Sequence, residues 1–244
     1  MTPKQCATRA IAALKRSANP RIASQAMKYF KPYEKIRVLG VSTAAVRQIE
    51  KGLSAQVRPI WSVEDAIACC DLLLNSRFLE CKAVGILMLA RLREAFPTGL
   101  ADTVESWLLA GGCDNWASCD SMCGSVIAPL LFKHPRVLPR LKNWTSSDCL
   151  WLRRAAAVSL IPLVRKGIHL DMAFRIASCL LDDSEDLIHK ATGWLLREIG
   201  KTDERRLESF LLANGPSIPR MTLRYAIERF GPQKRATILI QTKR

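Results

Sequence analysis

Apolar residues recur at helical spacing along most of the chain, and this pattern predicts a protein built from helices. Proline and glycine breaks divide the first part of the chain into four predicted helices, over residues 5–17, 21–30, 44–51 and 62–74. The third has Ser42 or Thr43 as its N-cap, and Gly52 is expected to end it. Because alternating strand patterns are absent, we predict the all-α fold class.

One apolar-periodic run follows Gly111 and Gly112 and opens with the sequence Asn-Trp-Ala-Ser-Cys-Asp at residues 115–120. If the run is helical, Trp116 and Asp120 stand four residues apart on one face. Such a pair can be architecture, with the indole in a core and the carboxylate as a cap. It can also be the wall and the acid of an active site.

A basic residue followed by a small residue recurs at the start of apolar helices. Aligning Ala83, Ala155 and Ala191 gives separations of 72 and 36 residues, so the helix of Trp116 falls where a further copy belongs. A period near 36 with paired helices is typical of HEAT-like repeats. We therefore predict a HEAT-like solenoid of the right-handed type, a single domain over 1–244. Its parts are basic N-terminal helices (1–60), repeats (61–230) and a basic C-terminal tail (231–244).

The formal charge of +15 is concentrated at the two ends of the chain. Residues 1–60 hold 12 Lys and Arg against 2 acids, and residues 217–244 hold 7 against 1. Stacked repeats would add a basic stripe to a concave face, formed by Lys82, Arg154, Lys190 and Arg220. These charges favour nucleic acid over an anionic membrane, because no long amphipathic helix is flanked by aromatic residues. A merely solvated basic surface remains the alternative.

Several classes of chemistry find no support in the sequence. It contains no Walker loop, GxGxxG or GxSxG motif, and its nine cysteines and three histidines lack metal-ligand spacing. We expect no metal and no cofactor, and we expect cysteines 113, 119 and 123 to pack between helices. No apolar run approaches the ~20 residues of a membrane span, and no secretory signal is evident. The expected location is cytoplasmic and nucleoid-associated, although the basic N-terminus would also suit organelle import.

The six tryptophans divide by context. Trp61, Trp107 and Trp144 are predicted in the core, and Trp151 either in the core or at a rim. Trp116 and Trp194 each share a helical face with polar groups, and the repeat register would place them near Asp120 and Arg154 at the concave centre. An aromatic-walled cleft with a carboxylate on a basic surface suits a deoxyribose-phosphate ligand.

Four segments, in this order, resemble the AlkD-type DNA alkylation-repair glycosylases: residues 39–47, 115–120, 151–156 and 190–198. The likeness extends from about Met27 to Phe230. It implies a HEAT-like solenoid that releases N3- and N7-alkylated purines from duplex DNA while the lesion stays stacked. It assigns the functional aromatic residue and acid to Trp116 and Asp120, and the second stacking indole to Trp194. Its phosphate-facing arginine falls on Arg154, with Arg153 as the other register.

The leading hypothesis is therefore a monofunctional DNA glycosylase, a hydrolase of base excision repair, with a monomer as the default state. Asp120 is the expected catalytic residue, and it would stabilise an oxocarbenium-like transition state and position water. The expected DNA-binding residues are Trp116, Arg154, Trp194, Arg153, Lys190, Lys82 and Arg220. The alternative is a non-catalytic HEAT-like scaffold that binds DNA or a protein. In this chain Ala117 and Cys119 stand where many relatives carry an acid and a valine.

Overall fold

A computed structural model describes residues 1–34 and 36–243, and every regular element in this part of the chain is a helix; the one extended pairing described is an isolated bridge between Arg37 and Phe78. The all-α prediction is confirmed. The chain forms two compact units, Met1–His134 and Pro135–Arg244. No helix among the described residues is both long enough and apolar enough to cross a lipid bilayer.

The first unit contains the helices α1 (Pro3–Arg16), α2 (Pro20–Met27), α3 (Thr43–Val57), α4 (Val63–Leu74), α5 (Leu79–Ala90), α6 (Leu100–Leu109), α7 (Trp116–Met122) and α8 (Ala128–Lys133). A π-helical turn, Cys123–Ile127, joins α7 to α8 without a break. The predicted helical run after Gly112 is therefore confirmed. Its buried side chains include Met122, Val126 and Leu130, which anchor the helix in the unit.

Helix α3 is longer than the sequence predicts. Ser42 is its N-cap, with its hydroxyl accepting the Ala45 N–H, but the helix passes through Gly52 and ends at Val57. Gly52 does not end it because Leu53 and Val57 are buried and hold the last turn against the unit. Burial of these two side chains outweighs the roughly 1 kcal/mol that a glycine costs inside a helix.

The second unit contains the helices α9 (Arg140–Trp144), α10 (Leu150–Val158), α11 (Ile161–Val164), α12 (Leu170–Cys179), α13 (Asp186–Thr202), α14 (Glu204–Asn214), α15 (Arg220–Ala226) and α16 (Pro232–Gln241). Helix α13 packs against α10, α12, α14 and α15. Helices thus pack on their sequence neighbours, as α12 and α14 do on α13 and α4 does on α5, and also on helices further along the chain, as α10 and α15 do on α13. This packing is consistent with a helical-repeat fold.

The C-terminal segment differs from the predicted basic tail. Pro232 stands at the start of α16, where a proline fits without losing a hydrogen bond. Ile238 is fully buried and α16 packs against α14. The large apolar residues of this basic segment, Ile238, Leu239 and Ile240, are consecutive and show no helical spacing, so the sequence does not predict this helix.

Candidate functional site

The N-terminus of α7 presents the two residues that the sequence singles out. Asn115 is buried and caps the helix, its Oδ1 accepting the Ser118 N–H at 2.9 Å. Trp116 starts the helix, and Asp120 follows one turn later. Both side chains are partly exposed, whereas Ser118 and Cys119 face the interior. The helix therefore places an indole and a carboxylate on one accessible face.

Residues 29–34 hold Trp116 from the other side. The ring of Phe30 stacks on the indole, with centroids 5.5 Å apart and an interplanar angle of 21°. The indole Nε1 donates to the Tyr29 carbonyl at 3.2 Å. Glu34 is 3% exposed, and its carboxylate accepts the backbone N–H groups of Trp116 at 2.8 Å and Lys31 at 2.7 Å. One buried acid therefore joins this segment to the start of α7.

Glu34 is not among the predicted site residues, although the sequence contains a signal for it. Glu34 and Glu50 are the only acids among the first 60 residues, which hold 12 Lys and Arg. An acid retained in so basic a segment is a candidate for an internal contact, because buried carboxylates need hydrogen-bond donors. Which donors it meets depends on Trp116, 82 residues away.

Lys82 does not lie on an exposed stripe. It is 3% exposed, and its ammonium group donates to the carbonyls of Leu74 at 2.9 Å and Gly112 at 2.7 Å. Asp114 lies 3.4 Å from the same nitrogen. Lys82 therefore joins the end of α4 to the loop before α7, and its role is internal. This corrects its assignment to a DNA-facing stripe.

The segment at residues 39–47, which carries part of the resemblance, also has an internal role. The Glu80 carboxylate accepts the N–H groups of Leu39, Gly40 and Val41 at 2.8 to 3.1 Å. Gly40 has φ +81°, and a Cβ there would lie 2.1 Å from the Asn19 carbonyl oxygen. Only glycine fits this position, so part of the motif is explained by packing.

In the second unit, the two adjacent arginines are used internally. Arg154 is 5% exposed, and its Nη1 donates to the Leu187 carbonyl at 2.6 Å, linking α10 to α13. Arg153 contacts Asp183 through Nε at 2.6 Å and donates through Nη1 to the carbonyls of Ser147 and Asp148. Little of either guanidinium group is left for phosphate.

The remaining predicted residues of the second unit are accessible. Trp194 is partly exposed on α13. Lys190 is partly exposed on the same helix, 3.4 Å from Asp186. Arg220 is exposed at the start of α15, with long contacts of 3.4 Å and 3.5 Å to the carbonyls of Thr242 and Leu239.

The cysteines near α7 are packing residues. Cys113, Cys119 and Cys123 are fully buried. Burial raises the pKa of Cys113 to about 12, so the residue is a thiol at neutral pH. Among the described residues, no three His, Cys, Asp or Glu side chains are grouped so that they could hold a metal ion.

The protein is therefore all-helical, and its candidate site is the accessible indole–carboxylate pair at the start of α7. The chain matches the family model described as DNA alkylation repair enzyme over residues 10–230, and it belongs to this family. A search of curated proteins gave no match.

Two solved structures share the fold. A protein from Enterococcus faecalis, described as a predicted DNA alkylation repair enzyme, superposes with a TM-score of 0.76 at 17% sequence identity, over 88% of this chain and 98% of that one. The smu.31 protein of Streptococcus mutans gives a TM-score of 0.56 at 16% identity, over 77% of this chain and 98% of that one. At these identities the similarity establishes the fold alone.

Proposed function

We propose that this protein is a DNA glycosylase that hydrolyses the N-glycosidic bond of cationic N3- and N7-alkylated purines in duplex DNA. The observation that supports the proposal is the pairing of Trp116 and Asp120 on an accessible face, in a member of the DNA alkylation repair enzyme family. The buried residues Asn115 and Glu34 fix the start of the helix that carries the pair.

The chemistry accounts for a single carboxylate. An N3- or N7-alkylated purine already carries a positive charge, so it leaves without protonation and no general acid is needed. Ordinary glycosidases protonate a neutral leaving group and therefore use two carboxyl groups. As the bond breaks, positive charge grows on the sugar, and the Asp120 carboxylate would stabilise that charge and orient the attacking water.

The aromatic and basic residues would hold the DNA. The Trp116 indole, kept in place by Phe30, would pack on the sugar and attract the cationic nucleotide through its π face. In the second unit we propose Trp194 as a further sugar contact, and Lys190 and Arg220 as phosphate contacts. Arg154 would act chiefly by anchoring α13, the helix that carries Trp194 and Lys190.

The test is release of 7-methylguanine from methylated duplex DNA under single-turnover conditions. Asp120→Asn is expected to slow release at least ~10-fold, because loss of one group that stabilises transition-state charge typically costs about 10²- to 10³-fold in rate. The exposed Glu64→Gln change in the same unit serves as the matched control and should release base at the wild-type rate. Unchanged release by Asp120→Asn would remove Asp120 from the mechanism. Duplex binding without any release by the wild-type protein would favour the non-catalytic alternative.

A further inference from the structure

Helix α3 and its C-cap residue, Arg58, present a row of exposed cations that no role described above uses. Arg47, Lys51 and Arg58 are exposed, and with Ser54 they follow the spacing 0, 4, 7 and 11 residues. This spacing places all four on one side of a helix. Like charges four residues apart repel, so the pair formed by Arg47 and Lys51 is not explained by the stability of α3 itself.

A cavity of about 760 Å³ lies beside this row, within the first unit. Arg91 and Arg93, from the end of α5 and just beyond it, line it together with the α3 cations. Gly124 and Ser125, from the π-helical turn after α7, also line it and leave it open. A Cβ placed on Gly124 would meet no atom within 4 Å.

The charges around the cavity are nearly all positive. Five cationic side chains and one acidic residue, Glu50, line it among the described residues. Glu50 is 2% exposed, and its carboxylate accepts two hydrogen bonds from Arg91 at 2.8 and 3.0 Å and one from Ser54 at 2.6 Å. The acid thus serves to orient Arg91. Across the described part of the chain, neither Arg47 nor Arg58 forms a side-chain ion pair.

The cavity lies along the same helix as the candidate catalytic residue. Gly124 follows Asp120 by four residues, about one helical turn. Gly124 lies in the π-helical turn Cys123–Ile127, a local irregularity of a kind that occurs often at functional sites. A strand placed against Asp120 could therefore continue across the cavity.

We propose that this cavity and the cationic row on α3 bind the phosphodiester backbone of one strand of duplex DNA, beside the lesion. From Arg47 to Arg58 the row spans roughly 16 Å at 1.5 Å per residue, which matches several consecutive phosphates and exceeds a single phosphate ion. The position of this strand beside the lesion rests on the proposed function, whereas the binding of undamaged duplex is independent of it.

The first test replaces the row with neutral residues in one variant, Arg47→Gln, Lys51→Gln and Arg58→Gln, and measures its affinity for undamaged duplex against salt. Each lost phosphate contact lowers the log–log slope by about 0.9, so we expect a slope smaller by about 2 to 3. Binding at low salt should weaken at least ~10-fold. An unchanged slope would overturn the proposal.

The matched control removes the same charge from α1 by Lys4→Gln, Lys15→Gln and Arg16→Gln. These residues are exposed in the same unit and do not line the cavity. The control is expected to keep most of the wild-type slope. An equal loss in both triple variants would mean that only the net charge matters, and the proposal would be wrong.

A second test leaves the charge unchanged. Gly124→Leu should obstruct the cavity and weaken duplex binding ~5-fold or more, a loss of about 1 kcal/mol, whereas Gly124→Ala, which meets open space, should bind almost as the wild type does. Wild-type affinity of the leucine variant would show that no strand enters the cavity.

A third test uses inorganic phosphate, added at constant ionic strength, to distinguish a site for a free anion from a site for a DNA strand. If phosphate binds the wild type and not the triple variant, while duplex affinity is equal in both, the site is for a free anion and the proposal fails.

The two proposals fail separately. Failure to release 7-methylguanine would overturn the glycosylase and leave the binding of undamaged duplex to be judged by these variants. Normal base release by the wild-type protein, together with an unchanged salt slope in the triple variant of the row, would support the glycosylase and overturn the proposed binding of a strand by the cavity and the row.

Discussion

At the residue scale, side chains that share a sequence pattern have different roles. Lys82 and Lys190 each precede a small residue at the start of an apolar helix, and both were predicted to face DNA. Lys190 is accessible, but Lys82 turns inward to the Gly112 carbonyl. That carbonyl belongs to a loop 30 residues away, so no pattern around Lys82 could reveal it.

Glu34 permits a sharp test of how α7 is positioned. A glutamine has one oxygen acceptor where the carboxylate has two, so Glu34→Gln would turn an amide N–H₂ toward the N–H of Lys31 or Trp116. We expect it to lower the free energy of unfolding by ~1–3 kcal/mol, the cost of an unsatisfied buried donor. Because Trp116 loses its anchor, its fluorescence should also change.

Urea unfolding and tryptophan emission would measure both effects. As a control, Glu94→Gln at an exposed site of the same unit should change the free energy of unfolding by no more than about 0.5 kcal/mol. It should leave the tryptophan emission spectrum unchanged. A stable Glu34→Gln protein with unchanged emission would contradict the anchoring role.

Glu198 predicts a dependence of stability on pH. Burial alone would raise the pKa of Glu198, but hydrogen bonds from Arg165 and Lys201 outweigh it and lower the pKa to about 2. The carboxylate therefore stabilises the fold fully above its unfolded pKa of about 4.3, and this stabilisation is lost as the pH falls toward 2. Since Arg165 and Lys201 are about half exposed, screening reduces the contribution to about 1–2 kcal/mol.

Glu198→Gln should thus be less stable than the wild type at pH 7, and the difference should narrow between pH 4 and pH 2. Urea unfolding at several pH values measures it. A difference that stays constant down to pH 2 would mean that the ionised carboxylate is not the cause.

At the element scale, the chain's own pattern predicted helix existence and type better than helix ends. The Trp116 run was predicted because its apolar residues recur at helical spacing over several turns. The continuation of α3 past Gly52 and the helix α16 were missed, because each depends on burial of Leu53 or Ile238 against helices distant in sequence. The same holds for the candidate site. The face of α7 that carries Trp116 and Asp120 could be predicted from local spacing, whereas the contacts that residues 29–34 make with Trp116 could not.

Two glycines in helices predict opposite effects of the same substitution. A Cβ on Gly193 would lie 2.5 Å from the Tyr225 Cβ and 2.7 Å from the Thr222 carbonyl oxygen, so Gly193→Ala must push α13 away from α15. We expect a loss of ~1–3 kcal/mol, as for other overpacked cores. A Cβ on Gly52 meets nothing within 4 Å, so Gly52→Ala should gain ~0.5–1 kcal/mol. Thermal unfolding of the two variants gives the signs, and equal signs would refute the close approach of α13 and α15.

At the scale of the whole molecule, charge and fold are separate properties. The helices would pack equally well with fewer cations, and uncompensated positive charge destabilises a compact chain through repulsion. Part of the excess at residues 1–60 lies on α3 beside the cavity, where the proposed binding of a polyanion would account for it. If duplex DNA binds through this basic surface, its affinity is expected to be largely electrostatic and to fall as the salt concentration rises.

Undamaged duplex should therefore stabilise the protein strongly at low salt and hardly at all at high salt. A ligand present at 100 times its Kd adds about 2.7 kcal/mol to the folded state. For a chain of this length that corresponds to a rise in Tm of about 5–10 °C. At 0.5 M salt the released counterions no longer favour binding, and the rise should fall below ~2 °C. Differential scanning fluorimetry with and without duplex at 50 mM and 500 mM salt measures both values. A rise of equal size at the two salt concentrations would show that apolar or base contacts, and not the basic surface, dominate the association.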